Sequence, residues 1–251
     1  MRFLGIIPAR YASTRFPGKP LVEIGGKMMI QRVYEQVLPC LDEVWVATDD
    51  DRILKAVESF GGKAVMTSEN HRSGTDRCLE AFQKIGGDHD VIINIQGDEP
   101  FIQGEQIEAL KACFSSSANT CLATLVKPFT VEDGLDALLN PNSPKVVLNK
   151  QGEAMYFSRS VIPYLRGIPQ EEWLKQGHFY KHVGIYAYKT DTLAEIAVLP
   201  QSPMELAESL EQLRWLENGY HIQTAITNIE NLAVDTPEDL EKIRVYLESK
   251  F

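Results

Sequence analysis

Short β-branched apolar runs alternate with helical patterns through the first half of the chain. Residues 3–8, 43–48 (EVWVAT), 63–67 and 91–95 (VIINI) read as strands. Between and after them, residues 28–38, 51–60, 76–85 and 103–114 carry apolar positions at helical spacing, and Gly61-Gly62 and Gly86-Gly87 stop two of these helices. Strand–helix–strand repetition requires crossover connections, which are right-handed, and so a parallel sheet. The fold class expected is α/β, a mainly parallel doubly wound sheet. The second half is mixed. Strands are expected over 120–126, 183–188 and 222–227, and a hairpin over 146–148 and 154–157. Residues 210–216 read as helical, and Thr236-Pro237-Glu238 opens a last helix, with Pro in its first turn. The polar, Trp-bearing stretch 166–177 has the composition of a mobile lid.

With 251 residues, the chain can form one large domain with a smaller lobe. Lys and Arg number 25 against 35 Asp and Glu, a net charge of -10. Bulk attraction to nucleic acid is therefore excluded, and an acidic substrate needs a local cluster of cations. No window of about 18 apolar residues exists to span a membrane. The four cysteines lack C-x-x-C spacing, and Cys40, Cys78 and Cys113 fall in apolar helical patterns, so they read as buried thiols. A reducing, cytoplasmic location fits this usage.

In a parallel sheet, ligands bind beyond the carboxyl ends of the strands. The first strand delivers the loop PARYASTRFPGKP, with Arg10, Arg15 and Lys19 close together in an acidic protein. Such a cluster calls for an anionic partner: Arg grips phosphate oxygens in pairs and Lys acts as a point charge. The loop matches neither G-x-x-x-x-G-K-[ST] nor G-x-G-x-x-G, which argues against a nicotinamide-dependent oxidoreductase. Further on, Asp98 follows the strand 91–95, where a carboxylate can hold magnesium. Gly74 permits close backbone approach, while Thr75 or Asp76 can cap the following helix and Arg77 can be solvated or donate to a base edge. On residue chemistry alone Asp235 reads as a helix-entry residue, and Arg15 serves equally as a phosphate contact or in a surface ion pair.

The set IPARYASTRFPGKPL, ATDD, HRSGTDR, NIQGDEP, YFSR, KHVGIYAY, ESLEQLR and AVDTPEDL, in this order, strongly resembles the CMP-Kdo synthetases (Kdo is 3-deoxy-manno-octulosonate). The resemblance covers nearly the whole chain. Tyr11-Ala12 sets it apart from CMP-sialate synthetases, whose first loop has two glycines after the Arg. It implies a nucleotide-diphospho-sugar transferase-like fold over 1–251, with a smaller mixed dimerisation lobe at about 128–190. It also implies a homodimer, magnesium dependence, CTP and an acidic sugar as substrates, and a role in lipopolysaccharide biosynthesis. Carried over residue by residue, the resemblance puts the nucleotide on Pro8, Ala9, Arg10, Arg15, Lys19, Ser73, Gly74, Thr75 and Arg77. Arg10, Lys19 and Asp98 become the catalytic group, and Asp98 and Asp235 the metal ligands. Gln96, Arg159, His182, Tyr186, Glu211 and Gln212 become sugar contacts. Transfer to another acidic sugar, 8-amino-Kdo or a sialic acid, is the alternative.

Overall fold

The computed structural model describes residues 1–12, 16–230, 234 and 236–248. The first strand, β1 (Phe3–Ala9), is followed by a 3-10 turn, Lys19–Leu21, and a two-strand ribbon of β2 (Glu23–Ile24) and β3 (Lys27–Met28). Then α1 (Met29–Val37), β4 (Glu43–Thr48), α2 (Asp51–Ser59), β5 (Ala64–Met66), α3 (Gly74–Ile85), β6 (Val91–Asn94) and α4 (Gly104–Ser116) alternate as the sequence pattern requires. Next come β7 (Leu122–Pro128), α5 (Gly134–Leu139), β8 (Lys145–Leu148), β9 (Ala154–Ser158), α6 (Trp173–Gln176) and β10 (Tyr180–Lys189). The described chain closes with α7 (Thr190–Ala197), α8 (Pro203–Glu208), α9 (Gln212–Glu217), β11 (Gln223–Ile226) and α10 (Pro237–Glu248). The ribbon and the helices α7 and α8 were not anticipated. Among the described residues no helix is long and apolar enough to cross a membrane.

The chain divides into two compact units. The first comprises residues 1–108, 188–197 and 230–251. Its strands run in the order β6-β1-β4-β5, and every pairing is parallel. Register follows from burial: Leu4, Ile6, Ile7, Val44, Val46, Ile92 and Ile93 are all sealed from solvent. Covering both faces of a parallel sheet turns its strands into near-continuous apolar runs, as read here. Helices α1 and α3 pack on β1 and β4, and α2 packs on β4 and β5. The parallel α/β expectation holds.

The second unit comprises residues 109–187 and 198–229. Its strand order is β11-β7-β10, with β8 beside β10 and β9 beside β8. Here β11 and β7 are parallel, while β8 is antiparallel to both β10 and β9. The expected hairpin is therefore present. Asn149 shapes its turn, its side-chain oxygen accepting from the backbone N–H groups of Gln151 and Glu153, each at 2.9 Å. The stretch expected to form a lid is anchored: Trp173 is buried against Phe179 and Leu138, and its indole donates to the Ile168 carbonyl at 3.0 Å.

Two thiols depart from or exceed expectation. Cys40 is half-buried rather than buried, whereas burial pushes the Cys113 thiol up to about 11. Ile6 is fully buried on a strand that α1 and α3 pack against, so a vacancy there can close only in part. Ile6→Ala should lower unfolding free energy by about 2–5 kcal/mol, and Ile6→Val by about 1 kcal/mol, in urea titrations. A loss under 1 kcal/mol for Ile6→Ala would contradict this packing.

Candidate active site

The carboxyl end of β1 and the turn after β6 meet at a cavity of about 260 Å³ in the first unit. That is several times the roughly 30 Å³ share of one water molecule, so the cavity is sized for a ligand group. Its wall includes Pro8, Ala9, Arg10 and Lys19 from the loop after β1, and Ser73, Gly74 and Arg77 from the start of α3. Gln96, Gly97 and Asp98, from the turn after β6, complete it. Nine of the sequence-derived site residues thus meet in one place. Arg15 and Asp235 lie outside the described residues.

Glycine makes the convergence possible at one point. A Cβ on Gly97 would lie 3.1 Å from the backbone oxygen of Pro8. A side chain there would force the Asp98 turn and the end of β1 apart by a few tenths of an ångström. With glycine, Lys19 Nζ donates to Asp98 Oδ2 at 2.7 Å across 79 positions of sequence. The pair is partly screened, with side chains 14% and 29% exposed. The Asp98 backbone carbonyl accepts from Val234 N–H at 2.9 Å. Val234 is itself buried with Ile24, Met29, Leu240 and Ile243, and Phe16 from the β1 loop packs on this cluster.

The N-terminus of α3 adds positive potential. Ser73 is its cap, its hydroxyl accepting from the Asp76 backbone N–H at 3.1 Å. This corrects the expectation that Thr75 or Asp76 would cap. A helix start carries unsatisfied N–H groups and a partial positive charge, which favour phosphate. Thr75 does not line the cavity; it is buried, and its hydroxyl lies 3.4 Å from that of Tyr188. His71 and Arg72, also on the wall, were quoted in the HRSGTDR motif but not singled out. His71 pairs with Glu80. Burial raises the Glu80 carboxyl, but hydrogen bonds from Lys84, the Ser68 N–H and His71 outweigh it and hold the group at about 2.

Arg77 is neither solvated nor free at its tips. It is 3% exposed, donating to Thr67 Oγ1 at 2.6 Å and to Asp49 Oδ2 at 2.7 Å. It braces α3 against the ends of β4 and β5 while its flank lines the cavity. The pair is buried, so Asp49→Asn should cost about 3 kcal/mol or more in chemical denaturation; an unchanged midpoint would refute the brace.

The remaining sugar-site candidates lie in the second unit, apart from Gln96 on the first unit's cavity wall. His182 and Tyr186 stand side by side on β10, ring centroids 5.3 Å apart, and Tyr186 meets Trp215 of α9 edge-on. Gln212, on the same helix, is 4% exposed, and its buried side-chain nitrogen meets no partner among the described residues. Glu211 accepts from Arg214 at 3.3 Å. The Arg159 guanidinium is aimed by three backbone carbonyls, those of Glu208 (2.6 Å), Pro141 (3.0 Å) and Ser209 (3.3 Å).

Burial pushes His182 down to about 3, so it is neutral at physiological pH. The Thr124 hydroxyl lies 2.8 Å from the Ile185 carbonyl and 3.1 Å from His182 Nε2. Both contacts are satisfied when Nε2–H donates to Thr124, which leaves Nδ1 as an acceptor. Below the ordinary value of 6.5 the unfolded chain takes up a proton that the native chain refuses. Stability should therefore fall as pH drops from about 6.5 toward about 3. His182→Gln should flatten that part of the pH–stability curve, and an unaltered slope would contradict a neutral His182.

A parallel sheet with a cationic, helix-capped cavity at its carboxyl edge suits nucleoside triphosphates and their transferases. The cytidylyltransferase family model matches residues 4–243, and the chain belongs to that family. Among similar proteins, the 3-deoxy-manno-octulosonate cytidylyltransferase of Parabacteroides distasonis is 65% identical, with 100% of both chains covered. The protein of the same description from Phocaeicola vulgatus is 62% identical over 100% of this chain and 99% of its own. The solved structure of a CMP:2-keto-3-deoxy-manno-octonic acid synthetase complexed with CTP superposes with a TM-score of 0.91 at 43% identity, covering 100% of each chain.

Proposed function

We propose that this chain is a 3-deoxy-manno-octulosonate cytidylyltransferase: it transfers CMP from CTP to Kdo and releases pyrophosphate, supplying lipopolysaccharide biosynthesis in the cytoplasm. The observation that carries the site assignment is the meeting of Arg10, Lys19, Asp98 and the α3 N-terminus around one cavity. In the reaction the anomeric 2-hydroxyl of Kdo attacks the α-phosphorus. The bond to the bridging oxygen breaks, pyrophosphate departs in line, and the hydroxyl proton is lost. Arg10 and Lys19 hold the triphosphate and stabilise the charge that grows on it. Ser73 and Gly74 offer it the start of α3. No covalent enzyme intermediate is required, and the rate comes from position and charge.

The donor set fits magnesium. Mg²⁺ takes one or two carboxylates and completes its shell with water and substrate phosphate. Asp98 offers one carboxylate beside the phosphate loop, and the family resemblance proposes Asp235 as the second. When bound, the ion would neutralise phosphate charge and polarise the attacking hydroxyl. In its absence Lys19 neutralises Asp98. On binding, Lys19 would turn to phosphate, and Asp98 would be the carboxylate that holds the ion.

For the sugar, Arg159 suits the carboxylate, because its guanidinium is aimed by three backbone carbonyls, while the Glu208 carboxylate is taken up by the Arg159 backbone N–H and the Ser158 hydroxyl. Neutral His182, Tyr186, Glu211, Gln212 and Gln96 sort hydroxyls. A homodimer is proposed from the family resemblance.

Two experiments test this reading. Pyrophosphate release with CTP, magnesium and a panel of Kdo, 8-amino-Kdo and a sialic acid should be fastest with Kdo; release with none of them would refute the reaction. Asp98→Asn should lower turnover by roughly 100-fold or more, the scale of losing one key electrostatic group. Near-normal turnover would remove Asp98 from the metal site.

A further inference from the structure

The carboxyl ends of β1 and β4 are side by side, with Ala9 opposite Thr48 in a parallel register. The phosphate loop and the segment 49–52 therefore leave the sheet at the same edge. One contact joins them there, and a second fixes its cation in place. The guanidinium carbon of Arg52 sits 3.3 Å from the centroid of the Tyr11 ring. Asp50 grips the same guanidinium through both carboxylate oxygens, at 2.9 and 2.7 Å, and also caps α2 by accepting from the Arg52 backbone N–H at 2.9 Å. Arg52 is thus fixed on a helix start, although its side chain is 59% exposed.

The loop is pinched where Tyr11 lies. The Tyr11 carbonyl accepts from Gly18 N–H at 2.9 Å, which brings the two ends of the loop together. Gly18 has φ of 73°, and a Cβ there would lie 3.1 Å from the Tyr11 ring. The ring is accordingly held between the Arg52 guanidinium and the bare α-carbon of Gly18. Arg10 and Lys19, the two cavity cations of this loop, are the residues immediately flanking Tyr11 and Gly18.

We propose that Arg52, stacked on Tyr11 and locked by Asp50, is a positioning residue that holds the two ends of the phosphate loop together, and with them Arg10 and Lys19, for the triphosphate. The proposal rests on the CTP reading above. It gives the second acid of the Asp49-Asp50 pair a task distinct from that of Asp49, which serves Arg77.

The test is a double-mutant cycle on Arg52 and Tyr11, read by steady-state kinetics and by calorimetric binding of CTP. Arg52→Ala and Tyr11→Ala should each raise KM for CTP about fivefold, the size of about 1 kcal/mol for an exposed cation–π contact. KM for Kdo and kcat should stay within about twofold. The double variant should match either single one. Tyr11→Phe, which keeps the ring, should behave as wild type, and Arg52→Lys should fall between wild type and Arg52→Ala. Unchanged CTP affinity in Arg52→Ala would overturn the proposal. So would a loss in Arg52→Ala that Tyr11→Ala does not share, since Arg52 would then touch phosphate itself. A fall in kcat and thermal stability with CTP affinity intact would reduce the contact to a structural one and overturn it too. Wild-type turnover is the control: its absence would refute the assigned reaction, while calorimetry with CTP would still test the clasp.

Discussion

An ammonium and a carboxylate 2.7 Å apart hold the business end of the first unit together. Lys19 and Asp98 come from the ends of different strands, and their meeting needs β1 beside β6, a glycine at 97 and a loop that folds back after β1. The contact neutralises one of the cavity's cations and, among the described residues of its wall, the one carboxylate. An anion and a divalent cation entering as a unit can replace both halves of the bond, whereas either alone leaves an unpaired charge in a half-buried place. Under the CTP reading proposed above, that would favour a metal-bound polyphosphate over a simple anion.

Much of this was readable from sequence, because strand signals and loop chemistry are local. The runs 3–8, 43–48 and 91–95 are too short and too apolar to be anything but buried strands, and the loop residues follow them directly. What escaped were roles decided by partners far along the chain. Arg77 looks like a surface cation until Asp49, 28 positions earlier, is found beside it. The capping assignment missed by two or three residues because Ser73, Thr75 and Asp76 are all competent caps, and only the backbone decides among them. The 166–177 stretch is polar in composition, but one tryptophan is enough to anchor it.

The second unit treats polarity differently. His182, Gln212 and Arg214 are all nearly sealed from solvent, so each polar atom must find a partner or await one. Arg214 reaches Glu205 and Glu211, and Arg159 reaches three carbonyls. A charged group fixed by neutral carbonyls keeps its field available, whereas one fixed by an acid does not. That contrast separates Arg159, whose guanidinium meets backbone carbonyls, from Arg214, which holds Glu211 in place.

The buried brace of Arg77 on Asp49 and Thr67 bears on how tightly the cavity can bind. Because this wall is already rigid before a guest arrives, docking there forfeits little conformational freedom. Helix α3 acts as a fixed jaw, and its share of the affinity is limited by complementarity alone, so a guest of the wrong shape meets a surface that will not adjust to accommodate it.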